Sequence, residues 1–403
     1  MRSVETTLAP KLMSMLFYFD FDNYFKMLRL AWGEPSLRVR SYYLAMLLLY
    51  VPLVSTFHAI CFALDPILFP SLRRTDVSNP VFIIGHGRSG TTLTFRLMDR
   101  DEGRFSSFLL WECYFPSLLQ KKAIRAIAAI DRPWLGGMLG RMVERFEEKR
   151  YGPSRHMHEM GLCLPEEDDI SLFYSMAAGL WMTKMPWMGE LDFYYVDTWP
   201  GKETVKRRQK KGHKQMVFYK ELVRRQLCLN GGSKVHLSKN PYWTGRTQTL
   251  IDVFPDARFV LNLRDPREAV PSLIKLTSSG WKQMGWSPER VQASIDMLTK
   301  QSVYNYRHPL EVFDNNPGTR YAILHYAMLK ADPAAAIEAV YRDLDMPVTQ
   351  RYFDALQTLG TKQKKHSTTF RYSLEEFGLD ERWIDTEFGD LFERFGWAKD
   401  IEE

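Results

Sequence analysis

The 403-residue sequence predicts an α/β fold, a P-loop-like three-layer arrangement with a central parallel sheet flanked by helices. A helical insertion and an apolar N-terminal helical segment are expected beside it. Three observations carry this expectation. Short apolar segments recur at wide intervals, a helical pattern follows several of them, and a glycine-rich turn joins the first strand to its helix. Strands alternating with helices require crossover connections, which cover both faces of a parallel sheet.

Residues 1–75 differ from the rest and are expected to form an apolar or amphipathic N-terminal segment ahead of a catalytic domain at 76–403. Ser41 to Leu64 contains no Asp, Glu, Lys or Arg, and its length suffices for a membrane-crossing helix. Against crossing, Pro52 kinks a helix and Ser55, Thr56 and His58 are polar. The run also starts too far into the chain for a usual signal peptide. Aromatic residues flank it, as at membrane interfaces. Membrane association is the preferred reading, in the plane of the surface rather than across it. The alternative is a helical hairpin packed on the domain or on another subunit.

From Pro80 the pattern alternates. PVFIIG (80–85) reads as a short apolar strand, followed by a turn and the helical run TTLTFRLMDR (91–100). Residues 110–230 read as mainly helical, an insertion over the sheet edge. KVHLSK (234–239), RFVLNLR (258–264) and TRYAILHY (319–326) are the further strands. REAVPSLIK is helical after the third strand, and a helix from about Pro333 follows the last.

Composition bounds the function. A net charge of +6 suits an anionic ligand or membrane surface and is too small to indicate nucleic acid. An aromatic content of 14% suits an apolar acceptor pocket or a membrane-facing surface. Cys61, Cys113, Cys163 and Cys228 form no CxxC pair and read as reduced and buried. The absence of any N-x-S/T sequon favours a cytoplasmic location.

Gly85-His86-Gly87-Arg88-Ser89-Gly90-Thr91-Thr92 matches G-x-x-x-x-G-K-[ST] except that Thr91 takes the Lys position. The glycines let backbone N–H groups converge on an anion at a helix N-terminus. Without the Walker Lys and a Mg²⁺ partner, the loop is suited to holding an anion and poorly equipped to hydrolyse a nucleoside triphosphate. Arg88 supplies a charged fork of donors instead.

GHGRSGTTL resembles the 5′-phosphosulfate loop of the sulfotransferases that use 3′-phosphoadenylyl sulfate (PAPS), in the bacterial-type branch related to protein-tyrosine sulfotransferases. LSKNPYWTGRTQTLIDVFPDARFVLNLRDPREAVPSL (237–273) resembles a second stretch of that branch: a Lys before Asp/Asn-Pro, a strand, then R-D-x-R and a Ser. The likeness continues through ILHYAMLKADP and YSLEEFGLD, covering most of 80–395. It implies that Gly87, Arg88, Ser89, Gly90, Thr91 and Thr92 bind the 5′-phosphosulfate and that Arg264 and Ser272 clamp the 3′-phosphate. Lys239 is then the cation facing the leaving phosphate, although Asn240 stands where Asp is usual.

A base must take the acceptor's proton. Glu112, in LLWECYFP, leads, because the resemblance puts it in a place similar to the family's catalytic Glu, and an apolar pocket of Trp111, Tyr114 and Phe115 would raise a carboxylate's pKa. His158 or His156 in RHMHEM is the rival. The acidic run Glu166-Glu167-Asp168-Asp169 is a third candidate, though it also suits a helix N-terminus. No third ligand accompanies the H-x-H pair, so no metal is expected.

The implied reaction is sulfuryl transfer from PAPS to a hydroxyl of a small-molecule or lipid-like acceptor, by a cytoplasmic protein associated with the membrane surface. A degenerate nucleotide kinase or NTPase and a non-catalytic, membrane-tethered nucleotide-binding protein are the alternatives. Nothing in the sequence fixes the oligomeric state.

Overall fold

In the computed structural model, residues 16–152, 160–186, 197, 205–363, 377 and 381–397 are described. Five parallel strands lie in the order β2-β3-β1-β4-β5. They are β1 Val81–Gly85, β2 Phe105–Ser106, β3 Val235–Lys239, β4 Arg258–Leu263 and β5 Arg320–His325. Side chains alternate across the sheet, so each face has its own core. Phe82, Ile84, Phe259 and Leu261 enter one apolar cluster, and Val81, Ile83, Val260 and Leu324 the other. Strands buried on both faces give the continuous apolar runs seen in the sequence.

The four expected strands are present, and β2 is an addition. Its two residues carry too little pattern to be read, and pairing with β3 through Phe105↔Val235 defines it. The order places β1 between β3 and β4, so the chain reverses its direction of winding there. Open α/β sheets hold ligands at such a switch point, beyond the carboxyl ends of the strands.

The helices used below are α1 Phe21–Trp32, α2 Leu37–Leu68, α3 Thr91–Met98, α4 Leu110–Tyr114, α5 Leu118–Leu135, α6 Met138–Tyr151 and α7 Val205–Leu229. After β4 come α8 Pro266–Met284 and α9 Pro288–Asn315; α10 Tyr326–Ala331 follows β5, and α11 Glu381–Phe395 lies near the C-terminus.

Helix α2 contains the apolar run. It passes through a π-turn at Met46–Tyr50 immediately before Pro52, whose missing N–H cannot continue the α pattern. One face is buried: Leu47, Val51 and Phe62 join the same core as Phe82. Asp65 on that face pairs with the fully buried Arg225 of α7 at 2.7 Å. The opposite face leaves Leu49, Leu53, Ile60 and Ile67 exposed. The helix is therefore packed on the domain along one side and apolar on the other.

All four cysteines are free, but the expectation that all are buried is corrected. Cys61 and Cys113 are buried, Cys228 is half-buried and Cys163 is exposed. Cys163 lies in an irregular segment whose neighbours Leu162 and Leu164 accept the N–H groups of Trp111 and Leu110, each at 3.0 Å.

Candidate functional site

Gly85 ends β1 at φ +136°, and a Cβ there would lie 2.3 Å from the Asn262 carbonyl oxygen. Only glycine lets the chain leave the sheet here beside β4. Thr244 fastens the exit: the Gly85 N–H donates to Thr244 Oγ1 (2.9 Å), and that hydroxyl lies 2.9 Å from the Gly85 carbonyl. Gly90 begins α3 at φ +89°, where a Cβ would strike the Tyr326 ring at 2.6 Å. Between them Arg88 has φ +72°, an uncommon conformation for a side chain of its size.

The loop is braced from below. His86 is buried, and its Nε2 lies 2.9 Å from Ser302 Oγ on α9. Ser302 donates its own hydroxyl hydrogen to the Leu298 carbonyl (3.0 Å), so His86 is the donor of the first bond. Burial lowers the His86 pKa to about 4, so the ring is neutral near pH 7. Ser89 Oγ donates to the His86 carbonyl at 2.6 Å. The first N–H groups of α3 have no partners within the helix and open toward the loop.

The expected 3′-phosphate residues adjoin the loop. Arg88 Nε donates to Ser272 Oγ at 3.1 Å, and Arg264 Nη1 donates to the Arg88 carbonyl at 3.1 Å. Arg264 also stacks 4.5 Å above the Tyr326 ring and pairs with Glu268 at 2.6 Å. The local ion pair and the contact with the loop thus coexist. Tyr306 of α9 donates to the Arg264 carbonyl (2.7 Å), and its ring centroid lies 5.1 Å from that of His86.

Lys239 flanks the loop on its other side. It ends β3, beside Ile83 of β1, and is 1% exposed. Its ammonium lies 2.8 Å from Glu167 and 3.6 Å from Glu166. Burial pulls its pKa down, but the two carboxylates outweigh burial and the net shift is upward, so the side chain is a cation near pH 7. The charge absent at Asn240 comes from the acidic run instead. Asn240 reaches the same run, donating to Asp168 at 3.4 Å.

The acidic run divides into separate roles. Glu167 precedes the 3₁₀-helix Asp168–Ser175, and its side chain is 25% exposed. Asp168 is buried against Tyr219 and His236. Asp169 is buried and accepts the N–H groups of Gly179 (3.0 Å) and Leu180 (2.8 Å).

Glu112 is fully buried at the third position of α4. It accepts from Leu109 N–H (3.0 Å), Gln226 Nε2 (2.7 Å) and Arg125 Nη2 (3.1 Å). Both carboxylate oxygens are thereby engaged in holding α4 to α5 and α7. His156 and His158 lie outside the described residues.

The structure thus brings together Gly87 to Thr92, Arg264 and Ser272, with Lys239 across β1. Tyr326, Thr244, His86, Ser302 and Tyr306 were not singled out in the sequence. Their signal is positional, since Tyr326 follows β5 directly and Thr244 shortly follows Lys239. Arg88, Arg264 and Lys239 present positive charge at the carboxyl edge of the sheet, beside a helix N-terminus, an arrangement that can hold a polyanion.

Comparisons with known proteins bear on the family and the fold. A family model described as "Sulfotransferase family" matches residues 80–350, more than half of the chain. The omega-hydroxy-beta-dihydromenaquinone-9 sulfotransferases Stf3 of Mycobacterium bovis and Mycobacterium tuberculosis are each 24% identical over 330 residues. That alignment covers 80% of this chain and 76% of each relative. The crystal structure of sulfotransferase STF9 from Mycobacterium avium superposes with a TM-score of 0.66 at 17% identity, covering 98% of this chain and 97% of that one. STF1 from Mycobacterium tuberculosis gives 0.60 at 18% identity, covering 95% and 98%. The two structures support the fold.

Proposed function

The chain belongs to the sulfotransferase family, and from that premise we propose that it moves a sulfuryl group from PAPS to a hydroxyl of a hydrophobic, lipid-like acceptor. One observation carries the donor assignment: the loop, the Arg88–Ser272–Arg264 contacts and Lys239 converge on a single sheet edge. A donor with phosphate at both ends of its ribose needs two groups of anion-binding side chains, and the placement of these residues supports that reading. We assign Gly87 to Thr92 to the 5′-phosphosulfate, and Arg264 with Ser272 to the 3′-phosphate. Arg264 would exchange its Glu268 contact for the ligand.

In the transfer, the acceptor oxygen forms a bond to sulfur while the bond from sulfur to the bridging phosphate oxygen breaks. Adenosine 3′,5′-bisphosphate leaves with that electron pair. Lys239 and Arg88 neutralise charge growing on the bridging and sulfuryl oxygens, a preorganised electrostatic contribution. The acceptor proton goes to a carboxylate, and we favour Glu167 for this role. It is partly open and adjoins Lys239, whereas Glu112 has both oxygens engaged. When Lys239 turns to the donor, Glu167 is released to accept the proton.

The reading of the acceptor draws on the menaquinone-derived substrate in the name of the Stf3 relatives and on the aromatic content of this chain. It also draws on α2, whose outer apolar face suits a position on the cytoplasmic membrane surface. Asp65 on its inner face ties it to the domain through Arg225, which supports the in-plane reading. We assign 1–75 to an N-terminal surface-binding segment packed on the sulfotransferase unit at 76–403.

The test is calorimetric titration with adenosine 3′,5′-bisphosphate at low salt, followed by turnover of ³⁵S-labelled donor against lipid alcohols and polyols. Saturable nucleotide binding with label appearing on a lipid alcohol is expected. No nucleotide uptake by the folded protein overturns the donor assignment, and label on polyols alone overturns the acceptor class.

A further inference from the structure

A second region of the molecule leaves apolar surface uncovered, far along the chain from α2. From Lys122 onward, α5 and α6 bury only Asp131 and Tyr151. The turn between them is nevertheless firmly built. Asp131 accepts Leu139 N–H (2.9 Å) and Gly140 N–H (2.8 Å) on its carboxylate, and Gly137 N–H (3.0 Å) on its carbonyl. Trp134 stands at this tip, 80% exposed. Ile127 and Ile130 on α5 and Met138, Met142 and Phe146 on α6 are exposed as well. Their spacing of three or four residues draws one apolar stripe along each helix.

Charge indicates what covers these stripes. Residues 118–151 carry eight Lys and Arg against four Asp and Glu. From 118 to 143 the sole acid is Asp131, which is buried, while Arg132 and Arg141 are exposed near the tip. Apolar side chains bordered by basic ones, with a Trp at the end, are the pattern of an element seated in an anionic headgroup layer. A second copy would set the same basic side chains against each other across a two-fold axis, at an electrostatic cost.

We propose that the α5–α6 hairpin embeds its tip in an anionic lipid surface. This rests on the reading that the protein works at a membrane and adds to α2 a second, separately testable contact. The root of the hairpin meets the catalytic edge. Arg125 of α5 bonds Glu112 of α4, and α4 packs against the segment that follows Glu167. A docked hairpin thus sets the site close to the bilayer from which a lipid alcohol would come.

The test uses the full chain with vesicles of phosphatidylcholine, with and without phosphatidylglycerol. Binding is read by co-sedimentation, and its location by hydrogen exchange. Wild type is expected to bind the phosphatidylglycerol vesicles more tightly, with slowed exchange across 122–151. The double variant Ile130→Ser/Trp134→Ser should weaken vesicle binding at least about tenfold, from the loss of two buried apolar side chains. Its binding of adenosine 3′,5′-bisphosphate should stay unchanged. Wild-type binding with protection on α2 alone, equal in the variant, overturns the hairpin proposal and leaves the membrane reading standing. No vesicle binding overturns both. Protection of 122–151 that rises with protein concentration without lipid assigns the stripes to a second copy and overturns the proposal.

Discussion

Arg88 and Lys239 approach one edge of the sheet from opposite sides, and each is held in place by its own contacts. Arg88 sits in a left-handed backbone conformation with its Nε on Ser272, while Lys239 is a buried cation held by Glu166 and Glu167. Replacing either by Ala should lower kcat about 10²–10³-fold, the usual cost of removing one preorganised transition-state contact. Thermal melting should show both variants folded, and a near-normal rate in either removes that residue from the chemistry. The base is separable in the same way. Glu167→Gln should abolish transfer and spare adenosine 3′,5′-bisphosphate binding. Glu112→Gln should instead destabilise the protein by about 1.5–3 kcal/mol, the scale of a hydrogen bond to a charged group. Activity per folded molecule should be kept, and a stable, inactive Glu112→Gln returns the base role to Glu112. That Arg88, Lys239, Arg264 and Ser272 lie at one sheet edge was legible because each sits in or beside a motif of fixed spacing. Glu167 as the partner of Lys239 was not, since the two are 72 positions apart and only the pairing of strands and packing of loops joins them.

Among the elements, the longer strands were legible from their unbroken apolar runs, and the loop from its glycines. β2 lacked any such run, and the 3₁₀-helix Asp168–Ser175 looked like an ordinary acidic helix start. What sequence could not show is that Asp169 turns inward to close the Gly179–Leu180 turn. Burial raises its pKa from 3.8 to about 7, against Arg246 and the two backbone N–H groups, which favour the charged form. A folded-state pKa above the unfolded value means that the folded protein binds this proton more tightly. The contribution is therefore complete below about pH 4 and is lost as the pH rises through about 7. Urea unfolding at about pH 5 and about pH 8 checks this. Wild type should lose more stability between the two than Asp169→Asn, and equal losses would show that Asp169 does not titrate in that window.

Over the whole molecule, the sequence divides more sharply than the packing does. Residues 1–75 lie outside the motifs and read as an appendage, yet Met27, Leu30, Val39, Leu47 and Phe62 are buried in the same core as Phe82 of β1. A composition boundary records where apolar residues become continuous; it carries no information about which of them face inward. Half of α2 faces inward, and Asp65 supplies the counter-charge of Arg225, whose guanidinium stacks 3.7 Å from the Phe62 ring. The same carboxylate accepts Leu118 N–H (3.0 Å) and Leu119 N–H (2.8 Å), fixing the start of α5. Breaking a buried pair costs about 3–5 kcal/mol when the remaining charge is unpaired; Arg225 keeps Glu221 at 3.3 Å, so the loss of Asp65 should cost less than that. Asp65→Asn should therefore lower the unfolding midpoint in urea. Deleting residues 1–75 should go further: both Arg225 and the apolar surface under α2 would be exposed, and the remaining chain should fail to give a cooperative transition. Circular dichroism with urea titration of both variants measures this. A truncated chain that unfolds cooperatively at the wild-type midpoint would show that 76–403 stands alone and that α2 serves the membrane surface only.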